Sequence, residues 1–233
     1  MTLVLLVRHG LTATTGSVLT GWTPGIPLDD RGRRQAEALA ARLAPVELDA
    51  IISSPLERCR QTAEAIAAAG AGRPSVQEDV RVGECHYGDW TGQPLKRLAK
   101  EPLWRVVQAH PGAARFPGED GESIMDMQHR AVSAVREWNR RLGPHAAYLV
   151  CSHADVIKSI IADSLGMHLD MLQRIQVDPC SLTAIRYTPL RPFVLRMNDA
   201  GGGVDSLKRP EPRRSRAMAR RETEAAVGGG AGG

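Results

Sequence analysis

Leu3-Val4-Leu5-Leu6-Val7-Arg8-His9-Gly10 decides how this chain folds. Five apolar residues in a row, without polar alternation, read as a strand covered on both faces, as in sheets with helices on either side. Polar residues and a glycine follow at once, where open α/β sheets place their ligands. Working outward, residues 31–44 carry Ala36, Leu39, Ala40 and Leu43 at helical spacing, with Asp29 or Asp30 placed to cap the start. Residues 48–52 form a second candidate strand. Ser54 and Glu57 then have capping-box spacing, with Pro55 at the first helical position of a helix ending near Gly70. Residues 74–121 are irregular, holding Pro74, Pro94, Pro102 and Pro111. Residues 122–142 return to helical spacing, with Ile124, Met127, Ala131, Val135 and Trp138 on one stripe. Residues 147–151 read as a third buried strand, 154–166 as a helix bounded by Gly166, and 181–187 with 193–197 as a terminal hairpin. Strands alternating with helices predict a three-layer α/β/α domain over residues 1–198, with a mostly parallel central sheet and a C-terminal hairpin.

Composition agrees. The chain has 233 residues, 42% hydrophobic and 24% charged, which excludes a wholly disordered, collagenous or disulfide-scaffold protein. Aromatics are only 4%, so core volume must come from aliphatic side chains. The net charge of +4 is local: residues 207–233 hold seven cations and three anions, and residues 1–206 are balanced. Residues 199–233 therefore read as a disordered basic, Gly-rich tail, and nucleic acid is not expected as a partner. No apolar run approaches membrane-span length, so no membrane association is expected. Cys59, Cys85, Cys151 and Cys180 lack metal-ligand or C-x-x-C spacing and read as buried thiols, which with the missing leader suggests a cytoplasmic protein.

The three strands share a feature at their carboxyl ends. The first is followed by Arg8-His9, the second by Ser53-Ser54 and then Arg58, and the third by Ser152-His153. Two histidines and two arginines thus converge on one sheet edge. Arginine presents a planar fork to phosphate oxygens, and a neutral imidazole can attack phosphorus. Glu84, in the loop Glu84-Cys85-His86-Tyr87-Gly88-Asp89-Trp90, supplies a carboxyl that could protonate a leaving alkoxide and then deprotonate water.

Further blocks join these: Gly21-Trp22 with Pro27-Leu28, Gly32-x-x-Gln35-Ala36, Gln61-Thr62-Ala63, Phe116-Pro117-Gly118 with Gly121-Glu122-Ser123, and Val150-x-Ser152-His153. In that order, over about residues 3–198, the sequence resembles the histidine phosphatase superfamily, the phosphoglycerate-mutase-like fold. The resemblance implies His9 as nucleophile, Glu84 as general acid and base, and Arg8, Arg58 and His153 around the phosphoryl group. It implies substrate contacts at Thr20, Gly21 and Tyr87. It calls for no metal and no cofactor. Two positions depart from the family pattern: Thr15 stands where a phosphate-contacting Asn is common, and Ala154 where Gly usually follows the second histidine. Both predict altered phosphate binding. Glu84 and His153 enclose a compact segment with Lys96, Arg97 and Lys100 as its scattered cations. That compactness favours a phosphomonoester hydrolase acting through a phosphohistidine on small phosphorylated metabolites. The alternatives are a cofactor-dependent phosphoglycerate mutase and a phospholigand-binding pseudoenzyme. A homodimer is left open.

Overall fold

A computed structural model describes residues 1–70 and 72–201 of the chain. The elements run β1 (Thr2–Arg8), β2 (Val18–Leu19), α1 (Asp30–Leu43), β3 (Ala50–Ser53), α2 (Glu57–Ala68), β4 (Val76–Glu78), β5 (Gln93–Pro94), α3 (Leu95–Leu98), α4 (Pro102–Ala109), α5 (Ile124–Leu142), β6 (Ala147–Ser152), α6 (Ala154–Leu165), β7 (Leu182–Tyr187) and β8 (Pro192–Asp199). Six strands form one sheet in the order β4-β3-β6-β1-β7-β8. The first four strands in that order are parallel, and β7 and β8 add an antiparallel edge. The predicted tail lies outside the described residues from 202 onward, and β8 ends one residue past the predicted boundary.

The apolar run becomes a central strand because both of its faces are needed. Successive strand residues point to opposite sides of a sheet. Val4 and Leu6 accordingly join a core with Tyr148, Val150, Met127, Val135, Ile157 and Ile161, on the side of α5 and α6. Leu5 and Val7 join the other core with Ala36, Leu39, Leu43, Ala63 and Ile66, on the side of α1 and α2. Each such side chain contributes roughly 1.5–3 kcal/mol by leaving water, so a polar residue at any of these positions would be selected against. The three-layer arrangement predicted from the sequence is the one observed.

Local signals act at three helix ends, two of them, at Asp29 and Gly166, as expected. Asp29 caps α1 by accepting from Gly32 N–H at 2.7 Å. Ser123 and Asp126 form a capping box at α5. Gly166 takes a left-handed conformation, φ 63°, after α6. One expectation fails. Helix α2 starts at Glu57, with Leu56 as its cap residue and no side-chain cap bond, so Ser54 and Glu57 form no capping box and Pro55 precedes the helix. The reason is competition for the Ser54 hydroxyl, which lies 2.9 Å from His153 Nε2. The short strands β2, β4 and β5 went unpredicted.

Candidate active site

Strand register brings the three carboxyl ends together. Arg8 pairs with Ser152 and Ser53 with Cys151, so the residues that follow, His9, Ser54 and His153, emerge side by side. His9 N–H donates to Ser152 O at 3.0 Å, and Ser54 N–H to Cys151 O at 2.9 Å. The turn after β1 packs directly on α1: a Cβ at Gly32 would stand 2.0 Å from Leu11 O, so only glycine fits.

The His9 ring is fixed in one tautomer. Nδ1 lies 2.7 Å from Gly10 O, and a carbonyl can only accept, so Nδ1 carries the hydrogen. Nε2 therefore bears the lone pair, and Arg58 Nε donates to it at 3.3 Å. Burial, then the charges of Arg58 and Arg8, push the ring from 6.5 down to about 3. His9 is neutral at every physiological pH. Arg58 is 2% exposed and also donates to Gly21 O at 2.9 Å and to His153 Nδ1 at 3.4 Å. Gly21 meets it in a left-handed conformation, φ 54°. His153 is held well below its ordinary value, by burial first and then by Arg58. Its Nε2–H is left to donate to Ser54.

Arg8 donates through Nη1 to Val177 O at 2.7 Å, while its buried Nε finds no partner among the described residues. A buried guanidinium donor without a protein acceptor is a place for a water or an anion.

Glu84 forms the opposite wall. Oε1 accepts from its neighbour Cys85 N–H at 3.0 Å and lies 3.3 Å from the Tyr87 hydroxyl; Oε2 lies 3.5 Å from His153 Nδ1. Burial raises this carboxyl from 4.5 to about 7, against the pull of Arg58, with the charge of Asp155 adding to the rise. Its main chain is pinned from two elements. Arg130 of α5 donates to the carbonyls of Arg81, Gly83 and Glu84, each at 2.8 Å, and pairs with Glu122. Trp22 Nε1 donates to Glu84 O at 2.7 Å.

These groups surround a cleft of about 260 Å³. Arg8, His9, Arg58, Glu84, Tyr87, Thr15, Thr20, Gly21 and Ala154 all line it, and His153 stands behind it against His9, ring centroids 5.2 Å apart. Every site residue expected from the sequence is thus gathered in one place. Thr15 Oγ1 is engaged within its loop, accepting from Thr12 N–H at 3.0 Å. Ala154 is the first residue of α6. Of the aromatic residues in the irregular segment, Tyr87 reaches the cleft, whereas Phe116 is buried in the core and Trp104 packs against it. Asp155, which lines the cleft, and Arg130, which holds Glu84, carry no signal in the sequence, whereas Trp22, which also holds Glu84, lies in the matched Gly21-Trp22 block without its role being read. Among the described residues no three His, Cys, Asp or Glu side chains are gathered as metal ligands.

The profile of the histidine phosphatase superfamily, branch 1, matches residues 4–200. The chain belongs to this superfamily. Its relatives in the superfamily carry two kinds of name. GpmB of Yersinia pestis, named a probable phosphoglycerate mutase, is 32% identical over 187 residues, covering 79% of this chain and 84% of that protein. Phosphoserine phosphatase 1 of Hydrogenobacter thermophilus is 30% identical over 174 residues, covering 73% and 80%. Among solved histidine phosphatase folds, a phosphoserine phosphatase mutant from Entamoeba histolytica in complex with phosphoserine superposes with a TM-score of 0.75. It is 25% identical and covers 86% of this chain and 98% of that one. The chain is therefore an enzyme of the phosphatase and mutase-like group, and the mostly parallel sheet is the fold of that superfamily.

Proposed function

We propose that the chain is a metal-independent phosphomonoester hydrolase of small metabolites, acting through a phosphohistidine on His9. The observation that carries this is the state of His9: a neutral ring whose only lone pair, on Nε2, stands beside Arg58 in the cleft. Nε2 attacks phosphorus, the bond to the leaving oxygen breaks, and the Glu84 carboxyl gives that oxygen its proton. Water then attacks the phosphohistidine, Glu84 takes a proton from it, and the P–N bond breaks. Inorganic phosphate leaves, with His9 and Glu84 back in their starting states. Arg58, and Arg8 through its unpartnered Nε, hold the phosphoryl oxygens, and His153 joins them when its ring hydrogen leaves Ser54. Thr15 and the start of α6 at Ala154 complete the phosphate end, and Thr20, Gly21 and Tyr87 face the remainder of the substrate.

Hydrolysis is favoured over mutase chemistry by the charge of the cleft. Among its described lining residues the only cations are Arg8 and Arg58, both at His9, and the carboxyls are Glu84 and Asp155. One phosphoryl group is provided for, and a second anionic group is not. Incubation with 3-phosphoglycerate and catalytic 2,3-bisphosphoglycerate tests this. Release of inorganic phosphate from monoesters is expected; rapid formation of 2-phosphoglycerate without free phosphate would establish the mutase instead. We further place the protein in the cytoplasm, supported by four buried free cysteines. Among the described residues no helix is long and apolar enough to cross a membrane.

A further inference from the structure

The Tyr87 hydroxyl stands between two carboxyl groups, 3.1 Å from Asp155 Oδ2 and 3.3 Å from Glu84 Oε1. Burial, with Asp155 and Glu84 beside it, holds this phenol well above its ordinary value of 10, so its hydrogen stays on. One hydrogen cannot satisfy two carboxylates. If both acids are ionised, one of them faces an oxygen lone pair. If one is protonated, the chain closes: that acid donates to the Tyr87 oxygen, and Tyr87 donates to the other.

Position decides which acid keeps the charge. Asp155 is the second residue of the twelve-residue helix α6, where the helix dipole favours an anion. Its Oδ1 is 3.4 Å from Lys158 Nζ, and its side chain is a quarter exposed. Glu84 is less exposed, at 13%, and has no cation within bonding distance. We propose that Asp155 is a positioning residue for the acid of this site: by taking the single Tyr87 hydrogen, it keeps the Glu84 carboxyl protonated until a leaving group arrives. This rests on the reading of Glu84 as acid and base.

Of the other groups around Glu84, the charged ones favour its carboxylate, while the His153 Nδ1 lone pair, 3.5 Å from Oε2, acts with Asp155. Arg58 from α2 and Arg8 from β1 both favour the carboxylate, as does the Cys85 N–H on Oε1. His153 at the start of α6 is neutral, and the Cys85 thiol on the same loop is pushed up by burial. Arg130 from α5 is spent on main-chain carbonyls and Glu122, and Trp22 on the Glu84 carbonyl. Burial raises this carboxyl most, and among the charged groups Asp155 is the counterweight to the two arginines. During the first step the Glu84 proton passes to the leaving oxygen, and the Tyr87 hydrogen is free to turn toward the new carboxylate. During the second step a proton from water restores Glu84, and Tyr87 turns back to Asp155.

The test is D155N, which keeps the shape, removes the charge and offers a donor where there was an acceptor. For an alkyl phosphate, the alkaline limb of the kcat profile should move to lower pH by about one unit, a roughly tenfold loss at pH 8. Single-turnover phosphorylation by p-nitrophenyl phosphate, which needs little help from an acid, should change less than about twofold. D155E should restore much of the limb, and D155N should add no further shift in a Y87F background. In parallel, the Glu84 side-chain carboxyl is titrated by ¹³C NMR in the free protein, native and D155N. This arm needs no turnover, so it judges Asp155 even if no ester is hydrolysed, and that outcome would count against the phosphatase reading alone. An unmoved alkaline limb with an unmoved Glu84 titration would overturn the proposal. Equal losses for alkyl and aryl esters with Glu84 unmoved would also overturn it, leaving Asp155 a structural role only.

Discussion

The floor and the wall of the cleft are built by different means. On the floor, His9 and His153 sit at the ends of adjacent parallel strands, with main-chain bonds across the sheet and ring bonds to Gly10 O and Ser54 Oγ. Sheet register fixes them, and register is set by buried apolar residues on both faces. On the wall, Glu84 and Tyr87 belong to a segment between short 3₁₀ turns, at Val80–Val82 and Gly88–Trp90. One side chain, Arg130, holds two of its carbonyls, Gly83 and Glu84, and that of Arg81 in the turn before it. On the function proposed above, the floor gives His9 a fixed line of attack as nucleophile, and the wall holds the carboxyl that releases and regains a proton. It follows that the nucleophile should resist changes elsewhere, while the acid should depend on a few distant residues.

The first way to break this comparison is on the floor. His9→Ala removes the covalent route, so hydrolysis of alkyl and aryl phosphates alike should fall to background in a phosphate-release assay. A residual rate that is still selective between esters would show a second nucleophile. On the wall, Glu84→Gln keeps the acceptor for Cys85 N–H but cannot transfer a proton. Alkyl phosphates should slow by about 10²–10⁴-fold, and single-turnover phosphorylation by p-nitrophenyl phosphate considerably less. Equal losses would move the acid role to another residue of the 84–92 loop.

Arg130→Met sharpens the contrast. It removes the ion pair to the partly buried Glu122, which keeps the His86 N–H. It also strips the guanidinium from the Arg81 and Gly83 carbonyls, while Glu84 O keeps Trp22 Nε1. This should cost about 3 kcal/mol in denaturant unfolding, the low end for a broken buried pair. Alkyl-ester turnover should drop by more than aryl-ester turnover, because the loop moves and the floor does not. The smallest expected effect is on pH-dependent stability. Glu84 has a folded value of about 7 against 4.5 unfolded, so the folded state binds its proton more tightly. Its stabilising contribution is full below 4.5 and is lost as pH rises through 7. Glu84→Gln has no such loss, and should gain stability relative to the native chain between those values, by up to about 3 kcal/mol. His9 is the same in both and cancels. A stability difference that stays flat from pH 4.5 to 8 would mean Glu84 ionises normally.

Much of the floor was legible in the sequence and little of what supports the wall. Residues 3–7 and 147–151 are continuous apolar runs, each followed by one polar residue and then a histidine, so strand, position and chemistry are read together. Asp29 and Gly166 are local signals, and each acts within its own helix end. Ser54 misled because its capping pattern is local while its actual partner, His153, is 99 residues away. Asp155 and Arg130 gave no signal for the same reason. Each reads as an ordinary charged residue of an amphipathic helix, and their partners Tyr87 and Glu84 are 68 and 46 residues distant. Strands β2 and β5, two residues each, exist only through their mutual pairing, which no periodicity can reveal.

On the proposed mechanism His9 carries the phosphoryl group in a covalent intermediate. The direct measurement is rapid mixing of the Glu84→Gln variant with p-nitrophenyl phosphate, an alkaline quench that preserves phosphohistidine, and peptide mapping by mass spectrometry. One phosphoryl group per chain is expected on His9, formed with a matching burst of p-nitrophenolate and absent from His9→Ala. A burst with no phosphoryl group on His9, or a phosphoryl group mapped to another residue, would contradict that mechanism.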